Sequence, residues 1–266
     1  MTIAGFDPSG GAGVLADIKT IAALGCFGVA AITSITSQNT RGVYTAYHQS
    51  EDVLRGQILP LLDDFEIAAV KIGMLPTTEQ IKVVVELLER VPLKNIVIDP
   101  VFQSTSGHAL INIEARQFLI ESLLPYADVV TPNLSETEVL LGIQCNSVEE
   151  MKAAARVLSF RFSQKKQVAI LVKGGHLNSG ATDVLFDGEN EIEFSSSKLM
   201  SRHTHGTGCT LASAIASLLA QGLQLSDAIQ EAKEFVRGAI QHAPGLGKGK
   251  GPMNHFFNYV PKSSII

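Results

Sequence analysis

The sequence predicts an α/β protein with a mostly parallel central sheet and helices on both faces. Short β-branched runs alternate with longer segments of helical periodicity, which is typical of repeated βαβ units. No Pro-, Gly- or Ser-rich linker divides the 266 residues, and 45 % of them are hydrophobic, which suffices for one large core. We therefore expect a single domain over residues 1–266.

Six runs are predicted as strands, and the segments between them as helices. The strands are TIA (2–4), VAAITSI (29–35), AAVKI (68–72), NIVID (95–99), DVVT (128–131) and VAILVK (168–173). The crossover helices carry apolar residues at helical spacing: Val14, Ile18, Ile21 and Ala22, then Ile81, Val84, Val85 and Leu88. The run at 209–220 predicts a buried helix, and residues 182–195 predict a hairpin that turns near Asp187 and Gly188.

Charge and cysteine content limit the classes of partner. The formal net charge is -5, which leaves little electrostatic attraction for nucleic acid or an anionic membrane. Cys26, Cys145 and Cys209 are far apart in the sequence, which suits a reducing compartment. The first residues lack the features of a signal peptide, and no apolar run is long enough to span a membrane. We expect a cytoplasmic protein without a nucleic-acid or membrane partner.

Polar and glycine residues follow four of the predicted strands. Gly73 and Met74 follow one, Pro100 follows Asp99, and residues 132–133 and 174–175 follow two more. Turn chemistry alone would account for each case taken singly. Because the carboxyl ends of parallel strands share one edge, where ligands bind, the four together predict a site at that edge.

The glycine-rich segment GFDPSGGAG at 5–13 follows the first strand. Its glycines match a dinucleotide fingerprint in part, but the next strand ends in SQN rather than in an acidic residue, which argues against an NAD site. No GxxxxGK[ST], GxSxG or HExxH motif occurs. Two interpretations remain: a strand-to-helix turn capped by Asp7 or Ser9, or a close approach of backbone to a small ligand.

The segment HTHGTGCTLASAIASLLA at 203–220 carries the strongest signal. Small residues at a helix start leave backbone N–H groups accessible to an anion. The positive end of the helix dipole is also expected to lower the pKa of Cys209. A tight helix start without a ligand is one alternative. Others are a cysteine nucleophile with His203 or His205 as its base, or zinc bound by those three side chains.

Charged residues near the later strand ends suggest metal and phosphate binding. In TPNLSETE (131–138), Ser135 and Glu138 are available as a capping box, which would leave Glu136 free to bind Mg²⁺ together with Asp99. Lys173 ends an apolar strand and needs a phosphate or a carboxylate as its partner. The run GKGKGP (247–252) is either a surface loop or a basic flap over a nucleotide.

These motifs, taken in order, resemble the hydroxymethylpyrimidine/phosphomethylpyrimidine kinases of thiamine synthesis. The resemblance rests on GFDPSGGAG, SQNT (37–40), KIGM (71–74), DPV (99–101), SG (106–107), TPN with Glu136, KGGH (173–176), HTHGTGCT and GKGKGPMNHF. It implies the doubly wound fold of the ribokinase-like superfamily, ATP, Mg²⁺ and phosphate transfer to a hydroxymethyl group. Most members of that superfamily have Asp where this chain has Cys209, and the pyrimidine kinases resemble this sequence in using cysteine.

The resemblance also implies roles for individual residues. By this resemblance, Cys209 is the catalytic base, and the amides of Gly206, Thr207 and Gly208 stabilise the transferred phosphate. Lys173, Asn133 and Thr207 bind ATP and its phosphates, and Asp99 and Glu136 bind Mg²⁺. The residues that contact the pyrimidine substrate are Gln38, Gly5, Met74, Val101 and Asp17, and Gln38 forms hydrogen bonds to the aminopyrimidine edge.

Two other functions remain open. Pyridoxal kinases share GTGCT and the early glycine turn, so a pyridoxal or pyridoxine kinase is the alternative enzyme. A non-catalytic small-molecule sensor is the alternative from another class, but it leaves Cys209, Lys173 and Glu136 without a role. Relatives are often dimers, so the resemblance also implies a homodimer.

Overall fold

The computed structural model describes residues 1–104, 107–175, 181–197 and 199–259. Ser106 and His176, which belong to two of the motifs quoted above, lie outside the described residues.

Within these ranges nine strands form one sheet. They are β1 (Thr2–Phe6), β2 (Ala30–Asn39), β3 (Gly42–His48), β4 (Val70–Ile72), β5 (Ile96–Ile98), β6 (Val129–Val130), β7 (Ala169–Gly174), β8 (Ala181–Phe186) and β9 (Glu191–Ser196). Their order across the sheet is β3-β2-β1-β4-β5-β6-β7-β8-β9. The strands from β2 to β7 in this order pair in parallel, whereas β3, β8 and β9 pair antiparallel at the edges.

Eight α-helices are described, of which the first six lie between strands and the last two follow β9. They are α1 (Gly13–Ala23), α2 (Glu51–Asp64), α3 (Thr78–Arg90), α4 (Ile113–Phe118), α5 (Leu134–Leu141), α6 (Val148–Phe162), α7 (Thr207–Ala220) and α8 (Leu225–Gln241). A π-helical turn, Leu119–Leu123, and a 3₁₀ turn, Leu124–Tyr126, extend α4. None of the helices in the described ranges is long and apolar enough to cross a membrane.

The central strands bury side chains on both faces, which makes them almost continuously apolar. In β5 and β7 successive residues point to opposite faces: Ile98 and Ile170 join one core, while Val97 and Leu171 join the other. The first core packs against α2, α3, α4 and α6, and the second against α7 and α8. Helices therefore cover both faces, as predicted.

All six predicted strands, both crossover helices, the helix at 209–220 and the hairpin are confirmed. The hairpin turns at Asp187, whose Oδ1 accepts hydrogen bonds from the N–H groups of Glu189 and Asn190. Strand β3 was not among the predicted strands. It pairs antiparallel with β2 and continues the strand that carries Gln38 into a hairpin at the sheet edge.

A buried histidine holds the C-terminal part of the chain against α7. The Nε2 atom of His255 lies 3.1 Å from Thr210 Oγ1, and the residue is 3 % exposed. Burial, with a smaller contribution from the charge of Lys19, lowers the pKa of His255 to about 4. Because the folded protein binds this proton more weakly than the unfolded chain does, the imidazole is neutral in the folded state at neutral pH.

We expect His255 to make the protein less stable as the pH falls from 6.5 towards 4. Over that range the unfolded chain takes up a proton and the folded protein does not. The free energy of unfolding is therefore lower by about 2 kcal/mol at pH 5 than at pH 8. Urea unfolding of the wild type and of His255→Gln at both pH values measures this difference. The variant should show the smaller difference between the two pH values, and an equal difference would contradict the expectation.

Candidate active site

Helix α7 begins with backbone N–H groups that no side chain caps. Its N-cap is Gly206, and the first regular helical bond runs from the Thr210 N–H to the Gly206 carbonyl at 2.9 Å. The N–H groups of Gly208 and Cys209 precede that bond and have no acceptor within the helix. The Thr207 N–H reaches only the Thr204 carbonyl, at 3.4 Å. With the positive end of the helix dipole, these amides can stabilise an anion.

The start of α7 lies directly against the glycine-rich turn between β1 and α1. Gly206 has a φ of 81°, and a Cβ atom there would come within 1.8 Å of the Gly11 carbonyl oxygen. Only glycine allows both this left-handed conformation and this close approach. The two glycine motifs of the sequence therefore meet at one place.

Lys173 and Asp99 lie beside the same amides. Lys173 Nζ is 2.8 Å from Asp99 Oδ1, which Thr131 also approaches at 3.2 Å. A Cβ atom on Gly208 would lie 3.3 Å from Lys173 Nζ and 3.4 Å from Asp99 Oδ2. Burial lowers the pKa of Lys173, but the charges of Asp99 and Glu136 outweigh it, so that the pKa is raised and the amine is a cation. The sheet edge and the helix start thus form one crevice.

The capping box of α5 differs from the predicted one. Asn133 is the N-cap: its side chain accepts from the Glu136 N–H at 2.8 Å, and Glu136 Oε2 accepts from the Asn133 N–H at 2.7 Å. The expectation that Ser135 and Glu138 form the cap and leave Glu136 free was wrong, because the helix begins two residues earlier, with its N-cap at Asn133. The reciprocal bonds fix the Glu136 carboxylate and leave its Oε1 atom for another partner.

Glu136 and Asp99 form a pair of buried carboxylates near one amine. Burial and the neighbouring charge of Asp99 raise the pKa of Glu136 to about 7, although Lys173 and the Asn133 N–H act against this. A divalent cation would relieve that repulsion, and two carboxylates with substrate phosphates are a usual Mg²⁺ ligand set. In the part of the chain that the structure describes, no group of three or more His, Cys, Asp or Glu side chains is placed to hold a metal. The zinc alternative therefore lacks a site there.

Cys209 is the third residue of α7, and the residue as a whole is half-buried. Burial raises its pKa to about 11, with Asp17 and Asp99 adding to the rise, while Lys71 and a hydrogen bond from the Gly13 backbone oppose it. The expectation of a lowered pKa was wrong, because the helix-start field is worth only about 1 kcal/mol at such a position, less than the cost of burying a thiolate beside two carboxylates.

Asp17 does not line the crevice, contrary to the expectation of a substrate contact. It is completely buried, and both its oxygens lie within 3.0 Å of Lys71 Nζ. Ser213 and Thr2 donate their hydroxyl protons to it at 2.7 Å and 2.6 Å. Every oxygen of Asp17 is therefore occupied beneath the start of α7.

The other predicted substrate residues lie at neighbouring strand ends. A Cβ atom on Gly5 would come within 3.0 Å of Met74 Sδ, and the Met74 carbonyl accepts from Thr33 Oγ1 at 2.7 Å. Val101 follows Asp99 and is half-buried. Gly5 lies near the end of β1, and Met74 and Val101 lie just beyond the ends of β4 and β5, so the three residues are at the carboxyl ends of neighbouring strands.

His205, one of the two histidines considered as a base for Cys209, has other partners. Its Nε2 atom lies 2.7 Å from Asp7 Oδ2 and 3.2 Å from the amide nitrogen of Gln38. Asp7 also accepts from the Ala12 N–H at 3.0 Å, so it holds the glycine turn in place. Sequence reasoning did not identify this link between Asp7, His205 and Gln38.

A cavity of about 450 Å³ opens beside Gln38 and His205. Its other lining residues are Asn39, Thr40, Arg41, Gly42, Ser104, Lys248, Gly249 and Lys250, which include three cations and no carboxylate. The GKGKGP run packs closely on the β2–β3 turn, since the Gly249 N–H donates to Thr40 Oγ1 at 3.1 Å. The basic run therefore lies on the Gln38 side of the crevice.

Comparisons with known proteins agree with this arrangement. A family model described as phosphomethylpyrimidine kinase matches residues 7–254. The hydroxymethylpyrimidine/phosphomethylpyrimidine kinase of Rhizobium meliloti is 42 % identical, and the match covers 97 % of each chain. A chloroplastic thiamine biosynthetic bifunctional enzyme of Arabidopsis thaliana is also 42 % identical, and this chain spans about half of it, 51 %.

Among solved structures, the ADP complex of a Bacillus subtilis pyridoxal kinase is similar, with a TM-score of 0.88 and 35 % identity over 98 % of both chains. The family match includes the parallel strands from β2 to β7 other than β1, and Asp99, Glu136, Lys173 and Cys209 of the crevice. This chain belongs to the phosphomethylpyrimidine kinase family.

Proposed function

We propose that this protein transfers the γ-phosphoryl group of ATP to the hydroxymethyl group of an aminopyrimidine carbinol, and then to the resulting monophosphate. The observation that carries the proposal is the uncapped start of α7, which faces Lys173 and Asp99 in one crevice. Phosphoryl transfer needs positioned charge around the transferred group more than it needs covalent chemistry. The family membership supports the choice of reaction and acceptor.

The phosphates of ATP are assigned to the α7 side of the crevice. The amides of Gly206, Thr207 and Gly208 and the Lys173 cation stabilise the charge that develops on the transferred group. The Asn133 side chain uses its oxygen in the helix cap, and its amide N–H groups are available to phosphate. Asp99 and Glu136 are assigned to Mg²⁺, which would neutralise the phosphates.

The acceptor is assigned to the glycine-turn side. Gln38 offers a donor and an acceptor to an aminopyrimidine edge, and Gly5, Met74 and Val101 shape the pocket wall. The carbinol oxygen then faces Cys209, which takes its proton during transfer. This arrangement places donor and acceptor on either side of the α7 start.

Pyridoxal is the alternative acceptor, since a pyridoxal kinase has nearly the same fold. The purified protein should be supplied with ATP, Mg²⁺ and either hydroxymethylpyrimidine or pyridoxal, and the products identified by mass spectrometry. We expect the pyrimidine mono- and diphosphates, with a higher kcat/KM for the pyrimidine. A higher kcat/KM for pyridoxal would establish the alternative, and no ATP consumption with either acceptor would favour a sensor.

Gln38→Ala is expected to raise KM for the pyrimidine acceptor by about tenfold, since it removes one or two hydrogen bonds to a polar edge. KM for ATP should change by less than about twofold, because Gln38 lies away from Lys173 and Asp99. Steady-state kinetics with each substrate varied in turn measures both constants. Equal changes in the two constants would argue against an acceptor-binding role for Gln38.

We further propose that the protein is a homodimer in the cytoplasm. The three cysteines are free, which suits a reducing compartment. Sedimentation equilibrium should give twice the mass of the chain, and a mass equal to that of one chain would contradict the dimer.

A further inference from the structure

A line of hydrogen-bonding side chains connects the glycine turn to Gln38. Asp7 Oδ2 lies 2.7 Å from His205 Nε2, which lies 3.2 Å from Gln38 Nε2. At the other end of the amide, Gln38 Oε1 lies 3.1 Å from Thr36 Oγ1, which also lies 3.0 Å from the Phe6 carbonyl oxygen. His205 and Thr36 are 8 % and 7 % exposed, whereas Gln38 between them is half-buried and reaches the cavity.

The position of one proton in this line is fixed by Asp7. The carboxylate accepts from the Ser9 N–H at 2.9 Å, from Ser9 Oγ at 3.0 Å and from the Ala12 N–H at 3.0 Å. Burial acts to raise the pKa of Asp7, but hydrogen bonds from His205 and Ser9 outweigh it, so that the pKa is lowered and the group is ionised. An ionised carboxylate only accepts hydrogen bonds, so His205 Nε2 carries a proton and donates it.

That proton decides which way the Gln38 amide is turned. A protonated Nε2 cannot accept from the Gln38 NH₂ group, so an amide nitrogen at 3.2 Å would place two donors face to face. Oxygen and nitrogen of an amide are distinguished by their hydrogen-bond network. If the amide is turned by 180°, its oxygen lies 3.2 Å from His205 Nε2 and shares the one Nε2 proton with Asp7, as the longer branch of a three-centre hydrogen bond. The NH₂ group then donates to Thr36 Oγ1, whose hydroxyl proton goes to the Phe6 carbonyl. No two donors then face each other along the line.

We propose that His205 and Asp7 are positioning residues that hold the Gln38 amide with its oxygen towards His205 and its nitrogen towards Thr36. One N–H and one oxygen lone pair of Gln38 then remain for the acceptor substrate, side by side and in a fixed order. The ligand edge that fits them has an amino group next to an unprotonated ring nitrogen. This inference rests on the proposed function for the identity of the acceptor, but not for the orientation of the amide.

The protein holds His205 too tightly for its ring to turn away. A Cβ atom on Gly11 would come within 2.3 Å of His205 Cδ2, so the glycine turn packs on the ring. The His205 N–H donates to the Gly251 carbonyl at 3.2 Å, which fixes the backbone on the other side. Rotamer freedom of Gln38 is therefore restricted by a neighbour that is itself immobilised.

Two variants at His205 separate the hydrogen bond from the packing. His205→Leu keeps apolar volume and removes the donor, and it should raise KM for the pyrimidine acceptor about tenfold with kcat changed less than about threefold. His205→Gln can place an amide N–H near the original Nε2 position and should recover most of the loss. KM for ATP should not change in either variant. His242→Leu, which alters a histidine bonded to Gly238 at the end of α8, serves as the control.

A double-mutant cycle shows whether His205 acts through Gln38. In the Gln38→Ala background, His205→Leu should cost less than about twofold in acceptor KM, because there is no amide left to position. The same tenfold cost in both backgrounds would overturn the proposal, since His205 would then contact the substrate directly or act through the fold. Loss of the rescue by His205→Gln would overturn it too.

A second measurement does not depend on the substrate. Nitrogen NMR of the labelled, ligand-free protein should show His205 Nε2 protonated at neutral pH, with assignment by comparison with His205→Gln. An unprotonated Nε2 would overturn the proposal even if the kinase activity is as expected. A protonated Nε2, in a protein that phosphorylates no aminopyrimidine, would support the amide orientation and refute the proposed function.

Discussion

Cys209→Ala is expected to lower kcat by a factor on the order of 10² to 10⁴, the range seen when a positioned base is removed. ATP affinity should be retained, because the amides of Gly208 and its neighbours and the Lys173 cation bind phosphate independently of the thiol. Turnover assays together with ATP titration measure the two effects. Cys26→Ala, at a half-buried cysteine next to the Ser217 carbonyl, is the matched control and should leave kcat within about twofold.

The pH dependence of kcat tests the same role in a second way. With the pKa of the Cys209 thiol raised to about 11, the thiolate is a minor species at neutral pH. The wild-type kcat should therefore rise with pH between 7 and 9, by about tenfold per pH unit. Cys209→Asp places a carboxylate there that is ionised across this range, so its kcat should be nearly independent of pH.

Two results would contradict a base at position 209. One is a Cys209→Ala enzyme with a kcat within about threefold of the wild type, which would mean that alignment and charge suffice for the transfer. The other is a wild-type kcat that does not change between pH 7 and 9. Either result would leave the assignment of the anion-binding amides intact.

The fold was predictable because its central strands are buried on both faces. Runs such as VAILVK are recognisable without alternation, and the ligand edge of a parallel sheet follows from strand direction alone. Strand β3 was not predicted because GVYTAYH is exposed on an edge, where half-polar residues leave little pattern. Its position depends on pairing with β2, which is a tertiary contact.

The site was predictable where a residue type has few uses and not where position decides. A lysine at the end of an apolar strand requires an anionic partner, and Lys173 has one in Asp99. The thiol pKa of Cys209 depends on burial and on charges contributed by other elements, so the local helix-start rule gave the wrong sign. Glu136 was expected to be free of the helix cap and instead belongs to it, because helix starts are uncertain by a residue or two in any sequence.

Lys71 is a second lysine whose position in an apolar strand predicts a buried anionic partner. It stands between Val70 and Ile72 in the apolar run AAVKI, and the reasoning applied to Lys173 applies equally to it. Its partner is Asp17, which lies on α1 and could not be paired with it from spacing. The side chains are 1 % and 0 % exposed, so this ion pair is fully buried, and Asp17 contacts Ser213 of α7.

Lys71→Met is expected to lower the free energy of unfolding by about 3 to 5 kcal/mol, the usual cost of leaving one member of a buried ion pair without its partner. Burial acts to lower the pKa of Lys71, but the charge of Asp17 outweighs it, so that the pKa lies above its ordinary value and the amine is a cation. Without that cation, the Asp17 carboxylate keeps only the hydroxyl groups of Thr2 and Ser213 as donors. Urea unfolding at neutral pH measures the loss.

The double variant Lys71→Met with Asp17→Leu distinguishes a lost charge partner from lost packing. Because both charges are removed together, it should recover more than half of the stability lost in Lys71→Met, as apolar replacements of buried ion pairs commonly do. A double variant less stable than Lys71→Met alone would mean that Asp17 stabilises the fold through Thr2 and Ser213 rather than through Lys71. Ser213 lies one helical turn after Cys209 on α7 and donates a hydrogen bond to Asp17. Replacing the buried Lys71–Asp17 pair should therefore also displace the Cys209 thiol. We expect a lower kcat in the double variant even where its stability is recovered.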